Sequence, residues 1–350
     1  MPELILHPDV QFEGPPDLEA AVYAGRFEIC ASRSRELSGI PEEMWRRAAA
    51  LVCYHEIEVT ADLLKRMPRC RVVVRAGVGF DNIDARGAGD LGIAVCNTPD
   101  YGTTDVADHA IALMLSFLRG VTMYNSLVFE DPVAGWRFGA SPTIRRLSTQ
   151  TFGVVGLGRI GTAAALRARA LGMRVVFFDP YRPTGTELSL GIERCATLEE
   201  LAGTADVVSI HVPLTAETRH LVSAPILERM KPEAILVNTG RGGSVDLVAL
   251  AQALLDGRIA GAALDVLEAE PLSPDHPLMR AWRAPGSSIR HKLVVTPHAA
   301  FYSPSSLRDL RRKSAETAAF YLCNGWSRDC VNSEAIDPEK AASRAGGSGR

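Results

Sequence analysis

The sequence predicts an α/β protein built from two doubly wound parallel sheets, and three observations carry that prediction. The stretch 152–179, FGVVGLGRIGTAAALRARALGMRVVFFD, passes from an apolar strand through a glycine turn into a helix, then into a second strand that ends in an acid. From Thr151 to Thr296 short apolar runs alternate with helical stretches, the order produced by parallel strands joined through helical crossovers. The first hundred residues hold strand-like runs of their own, and 350 residues with 47% apolar composition are enough for two cores.

The N-terminal unit opens on Leu4–Leu6 and continues through apolar runs at Ala48–Tyr54, Arg71–Arg75 and Ile93–Asn97. Thr60 precedes Ala-Asp-Leu-Leu-Lys65 and reads as a helix N-cap, because its hydroxyl can accept one of the unpaired N–H groups of the first turn. After RVVVR comes AGVGFDNID, a glycine-containing turn at a strand's carboxyl end, where open α/β sheets bind ligands. Arg75, Gly77, Val78 and Gly79 are therefore candidates for holding a small anion; a plain loop with Arg75 in a surface ion pair is the competing reading. Thr98-Pro99 ends this unit, and Asp105–Leu118 follows as an apolar helix expected to cross between two domains. His109 within it reads as a packed or partner-facing side chain. Met123–Gln150, broken by Pro132, Gly135, Gly139 and Pro142, is expected to be irregular and to serve function or an interface, with Trp136 as an anchor at a subunit contact.

The glycine turn assigns a job to each residue. Gly156 makes the tight turn, Gly158 lets the backbone approach a pyrophosphate, and Gly161 lets the helix pack on the strand. The helix start at Arg159 and Ile160 then offers N–H groups and the positive end of a dipole to phosphates. Asp179 is placed to accept hydrogen bonds from the adenosine ribose and to repel a 2′-phosphate, so NAD is expected over NADP; Arg182 nearby softens that preference. The residues just past the later strands are His211-Val212-Pro213, Asn238-Thr239-Gly240-Arg241, Asp265 and Pro297-His298, all on the rim that carries the glycine turn. Arg241 offers a planar fork for a carboxylate or carbonyl oxygen, and His298 a group that moves protons near neutral pH. Glu268 and Glu270 lie just beyond a strand, and one of them is expected to touch His298. Taken singly, each has a plain alternative: Arg241 in a surface ion pair, His298 as a cap, Glu270 as a solvated acid before Pro271. Beyond the rim, Ser305–Tyr321 reads as a helix, Asp329–Asn332 as a return to the first domain, and the tail AASRAGGSGR as disordered.

A net charge of -3 leaves no basic footprint for nucleic acid or an anionic membrane. The seven scattered cysteines, odd in number and without a C-x-x-C pair, point to reduced thiols in a cytoplasmic protein and to no metal site. The N-terminus MPELILHPDV does not read as a signal peptide, and no run reaches the ~18–20 apolar residues of a membrane span.

These motifs together resemble the D-isomer-specific 2-hydroxyacid dehydrogenases. Arg241 in NTGRGG, Glu270 in ALDVLEAEP and His298 in TPHAA look like that family's Arg–Glu–His set, and RAGVGFDNID and VVGLGRIG look like its substrate loop and cofactor turn. AGDLGIAVCNTP, the pair Tyr54-His55, DPYRPTG, PHAAFYSP and CVN are most similar to its C-terminal-binding-protein branch, which usually has Trp where this chain has Phe301. The resemblance implies two Rossmann-like domains with a discontinuous substrate domain (1–98 and 299–335), an NAD-binding domain at 99–298, and a tail at 336–350. It also implies a homodimer through the NAD-binding domains. In the implied chemistry a hydride passes from NADH to a 2-oxo acid while His298 protonates the carbonyl oxygen, Glu270 holds His298, and Arg241 binds the substrate. Arg75, Gly77, Val78 and Gly79 are implied to clamp the carboxylate, with His55 and Phe301 beside the substrate. Val212, Pro213, Thr218 and Thr239 are implied to line the cofactor, and Asp265 to meet the nicotinamide carboxamide. Because that branch includes NADH-sensitive co-repressors, the resemblance also admits a nucleotide-gated interaction protein.

Overall fold

The computed structural model describes residues 2–346 and resolves into two compact units, Met1–Gly102 with Ser303–Arg350, and Thr103–Tyr302. Both crossings fall a few residues later than the sequence suggested, so Phe301 lies in the second unit.

The first unit is a five-stranded parallel sheet of β1 (Glu3–His7), β2 (Phe27–Ala31), β3 (Ala48–Cys53), β4 (Val72–Arg75) and β5 (Ala94–Cys96), in the order β2-β1-β3-β4-β5. Successive side chains point to opposite faces, and two cores result. Leu4, Leu6, Leu51 and Val73 pack with Trp45, Leu64 and Met67 on one face. Ile5, Ala50, Val52, Val72 and Val74 pack on the other against Leu310, Ala315, Ala318 and Ala319 of helix Pro304–Asn324. That helix begins in a capping box, Ser303 and Ser306 each accepting from the other's backbone N–H. Thr60 caps its helix as expected, accepting from the Leu63 N–H at 3.2 Å. β2 was not expected: it is a half-buried edge strand whose sequence, FEICA, shows no clean alternation.

Asp329–Asn332 runs antiparallel to β5, with the Val331 N–H donating to Val95 O at 2.8 Å. Asn332 ties the junction together. Its side chain accepts from the Val95 N–H at 2.8 Å and donates to the carbonyls of Ala85 (2.9 Å) and Ile93 (3.1 Å). The expectation of a disordered tail is corrected: Pro338–Gly346 is a helix, and residues 347–350 lie outside the described residues. Arg344 donates to the carbonyls of Met67, Cys70 and Leu91, and Lys340 to that of Asp90. A low-apolar stretch gave no signal because polar contacts hold this helix down.

The second unit contains β6 (Thr151–Val155), β7 (Arg174–Phe178), β8 (Glu193–Arg194), β9 (Val207–Ile210), β10 (Ile235–Asn238), β11 (Gly261–Leu264) and β12 (Leu293–Val295). They form one parallel sheet in the order β12-β11-β10-β9-β6-β7-β8, with its switch point between β6 and β9. Helix Thr103–Leu118 belongs to this unit, where Ala107, Ala110, Met114 and Phe117 pack with Phe152, Val154, Ala164 and Val237. The first part of the stretch expected to be irregular, 123–130, belongs to helix Val121–Glu130; only 131–150 is broken by turns. The prolines and glycines that suggested irregularity all lie after that helix ends.

Replacing Asn332 with Ala strands three backbone partners, two of them buried, so a loss of about 2–3 kcal/mol is expected. A lowered thermal midpoint in calorimetry, with dinucleotide binding retained, checks this.

Candidate active site

The carboxyl edge of the second sheet gathers the chemistry. Gly156 has φ +89°, and a Cβ there would meet Val212 Cγ1 at 2.7 Å. The turn is therefore pressed against the loop that follows β9. At Gly161 a Cβ would lie 2.1 Å from Gly156 O, which no side chain tolerates. At Gly158 the nearest atom to such a Cβ is Arg182 Nη2 at 3.9 Å, so the backbone is open to a ligand. Helix Arg159–Ala170 starts here with no side-chain cap, leaving its first N–H groups and positive dipole end for an anion. Asp179 follows β7, and its carboxylate accepts from the N–H groups of Leu157 (2.8 Å) and Tyr181 (2.9 Å). Arg182 Nε stands 3.7 Å from the same carboxylate.

Two buried polar atoms on this edge, Thr239 Oγ1 after β10 and His211 Nδ1 after β9, have no partner among the described residues. Stranded polar atoms of this kind are costly, and a ligand bearing hydrogen-bonding groups would satisfy them. With the open turn and the uncapped helix, they fit a nicotinamide dinucleotide. Thr218 is fixed in the same loop, its hydroxyl donating to Pro213 O at 2.6 Å.

Arg241, Glu270 and His298 follow β10, β11 and β12. His298 Nδ1 and Glu270 Oε2 are 2.6 Å apart, and Glu270 Oε1 accepts from the Leu267 N–H at 3.0 Å. Burial works to raise the Glu270 carboxyl, but the His298 hydrogen bond, the charges of His298 and Arg241 and the Leu267 N–H outweigh it, and the carboxyl sits below its usual range. It is therefore ionised near neutrality, and its Oε2 holds the His298 ring through Nδ1. The Arg241 guanidinium is close enough for its charge to be felt at Glu270. Phe301 meets the His298 ring edge-on, with centroids 6.2 Å apart. His211, after β9 on the same rim, is held down to about 4 by burial and stays neutral.

Two features of the site were not visible in the sequence. The first is the support behind His298. The buried Asp265 carboxylate accepts from Thr296 Oγ1 (2.5 Å) and from the N–H groups of Ala299 and Ala300 (2.9 Å each). His109 Nε2 lies 3.1 Å from Thr296 Oγ1 and 3.6 Å from Asp265. The second is the partner of the other acid: Glu270 takes His298, as the resemblance implies, while Glu268 takes His220, at 2.7 Å. Both are contacts between residues distant in sequence, for which no local spacing gives a signal.

In the first unit, Arg75 ends β4 and its guanidinium folds beside Gly77, donating to Ala76 O. Gly77 has φ +149°, and the turn is pinned by Thr98 N–H to Gly77 O (2.9 Å) and Asn97 Nδ2 to Val78 O (2.7 Å). Gly79 follows in the same loop. His55 lies past β3 with Gln11 Nε2 at 3.1 Å, and the buried Asp9 carboxylate accepts from the N–H groups of Tyr54, Glu56 and Ile57 to shape that loop.

A doubly wound sheet with a dinucleotide turn at its switch point and an imidazole–carboxylate pair on the same rim defines a nicotinamide-dependent oxidoreductase. Residues 111–300 match the NAD-binding domain of the D-isomer specific 2-hydroxyacid dehydrogenases. The chain is 40% identical to a glyoxylate reductase of Korarchaeum cryptofilum over 273 residues, 77% of each chain. It is 42% identical to one of Aeropyrum pernix over 277 residues, 78% of each. Among solved structures it is similar to the NADPH-dependent glyoxylate/hydroxypyruvate reductase of Sinorhizobium meliloti in complex with NADP and malonate. That likeness has 28% identity and a TM-score of 0.81 over 95% of this chain and 97% of that one. A D-lactate dehydrogenase of Aquifex aeolicus complexed with NAD and lactic acid is similar at 27% identity and a TM-score of 0.78, over 95% and 97% of the two chains. The chain belongs to the D-isomer-specific 2-hydroxyacid dehydrogenase family and is an oxidoreductase acting on a CH–OH group.

Gly161→Ala forces a Cβ into the Gly156 carbonyl. A fall in NADH affinity of about 10-fold or more, equal to ~1.4 kcal/mol, is expected in a fluorescence titration.

Proposed function

We propose that the chain reduces a small 2-oxo acid of the glyoxylate and hydroxypyruvate class to the 2-hydroxy acid, of D configuration where the product is chiral, with NADH as reductant. The observation that carries this reading is the 2.6 Å pair of His298 and Glu270 with Arg241 close by, on the rim that holds the glycine turn. The glyoxylate reductases among its relatives support the substrate class.

Gly156, Gly158, Arg159, Ile160 and Gly161 hold the pyrophosphate, Asp179 the adenosine ribose, and Val212, Pro213, Thr218 and Thr239 the remainder of the dinucleotide. When bound, the reduced nicotinamide supplies the hydride. Arg241 takes the substrate's carboxylate and carbonyl oxygen in its fork, and its charge stabilises the negative charge that grows on that oxygen. His298 gives its Nε2 proton to the oxygen. Glu270 fixes the ring through Nδ1 and stabilises the imidazolium before transfer. Arg75, Gly77, Val78 and Gly79 are the first unit's carboxylate-binding set, with His55 there and Phe301 beside His298 as the residues that shape substrate choice. Asp265, expected to meet the carboxamide, already spends three hydrogen bonds on the His298 loop. We assign it first to that loop.

The carboxylate of Asp179 favours NAD: it is side-chain buried to 12% exposure and fixed by two N–H groups, so it does not swing away from a 2′-phosphate. The exposed apolar residues Phe129, Val133, Trp136 and Phe138 support a homodimer in which a second copy covers them.

A panel of 2-oxo acids with NADH and NADPH in parallel tests the reading, and no turnover on any of them would sink it. His298→Ala is expected to lower kcat by about 10²–10⁴-fold. Glu270→Gln removes the carboxylate that fixes the ring, and kcat is expected to fall about 10- to 100-fold. Asp179→Ala is expected to raise NADPH efficiency relative to NADH by about 10-fold, read as the ratio of the two kcat/KM values.

A further inference from the structure

The loop that presents Glu270 carries a second histidine–carboxylate pair, and we propose that this pair, His220–Glu268, is a latch that positions Glu270 for the proton-transfer step. The inference rests on the reductase reading above and concerns a residue given no role in it.

Three loops from adjacent strands meet at this point. His220 closes the loop after β9, which begins with Val212 and Pro213. Its backbone N–H donates to Gly243 O at 2.8 Å, and the chain continues beside 244–246 through Val222 N–H to Ser244 O (2.9 Å) and Asp246 N–H to Val222 O (3.1 Å). The turn after β10, which holds Arg241, is thus stitched to the β9 loop. That turn also presses on the β11 loop: a Cβ on Gly242 would lie 1.9 Å from the Leu267 carbonyl carbon and 2.6 Å from Glu268 N. His220 Nε2 reaches over this junction to Glu268 Oε1 at 2.7 Å. Two residues further on, Glu270 Oε2 meets His298 Nδ1 while its Oε1 accepts from the Leu267 N–H. Leu267 to Glu270 is therefore gripped from one side by His220 and from the other by His298.

Backbone conformation singles out the same two rings. Among the described residues three non-glycine positions have positive φ: Ala24, His220 at +50° and His298 at +49°. Two of the three are the histidines that hold Glu268 and Glu270. A left-handed backbone at a side chain larger than glycine costs of order 1 kcal/mol and persists where surrounding contacts fix it. The ion pair itself does not explain the expense. With 46% and 28% of the two side chains exposed, it is too wet to be a major source of stability. What it fixes is a position: it anchors the Glu268 end of the short segment whose other end carries Glu270. Without that anchor the segment gains freedom, and Glu270 loses its register with His298.

The test compares the parent with His220→Ala, His220→Gln and Glu270→Gln. Steady-state reduction of glyoxylate is measured across pH, with thermal midpoints and an NMR titration of the His298 ring nitrogens in the full-length protein. A small misplacement of a catalytic partner is worth up to about 100-fold, so His220→Ala is expected to lower kcat about 10- to 100-fold. KM for glyoxylate should change less than kcat. The His298 Nδ1 resonance should lose the signature of its carboxylate bond, as in Glu270→Gln. His220→Gln keeps an N–H donor toward Glu268 and should recover much of both kcat and the resonance. Unchanged kcat and His298 resonance in His220→Ala would overturn the latch. So would a loss of activity that tracks the folded fraction while the resonance stays in place. Should the parent itself fail to turn over any 2-oxo acid, the reductase reading falls, and the His298 resonance still decides the latch.

Discussion

One buried carboxylate organises the site. Asp265 stands at the end of β11 with its side chain out of solvent, and it binds the Thr296 hydroxyl and two backbone N–H groups from 299–300. Those three bonds bend the chain after β12 into a tight hook, and His298 sits at its apex in the left-handed region. The His298 N–H is tied back to Asp265 O at 2.8 Å, so the residue that fixes the hook also fixes the backbone of His298. An imidazole held this way loses little freedom on reaction, which is where preorganised sites gain their advantage over water. His109 extends the support into helix Thr103–Leu118, connecting the hook to the core through a side chain that packs instead of reacting.

A second constraint is shared by every strand of the second sheet. All seven run parallel, so all their carboxyl ends lie on one rim. Residues from 156 to 298 are brought together without any long loop, each contributed by the turn that follows its own strand. Close approach between these turns demands glycine at Gly242, and the tight packing of helix on turn demands it at Gly161; a single carbon added at either would overlap backbone atoms. The rim is rigid because neighbouring turns are packed against one another at their main chains.

Much of this was legible in the sequence, for physical reasons that differ by element. The buried parallel strands read as continuous apolar runs because both their faces are covered, and the glycine turn read clearly because geometry restricts it to glycine at fixed spacing. Arg241, Glu270 and His298 were found because each ends a strand, although spacing alone left open which of Glu268 and Glu270 meets His298. β2 and β8 escaped notice because edge strands are short and only partly apolar. Helix Val121–Glu130 was lost beside the prolines that follow it. The helix at Pro338–Gly346 was read as disordered, since its anchors are a guanidinium and main-chain oxygens, which leave no trace in hydropathy.

The order of the chain has a consequence for how the molecule is made. The first five strands leave the ribosome early, yet one face of their sheet is covered by Leu310, Ala315, Ala318 and Ala319, which are synthesised some two hundred residues later. Residues 103–302 form a self-contained body and are able to mature during translation. The N-terminal sheet therefore waits with an uncovered oily surface until helix Pro304–Asn324 emerges, a surface that a chaperone can shield in the interval.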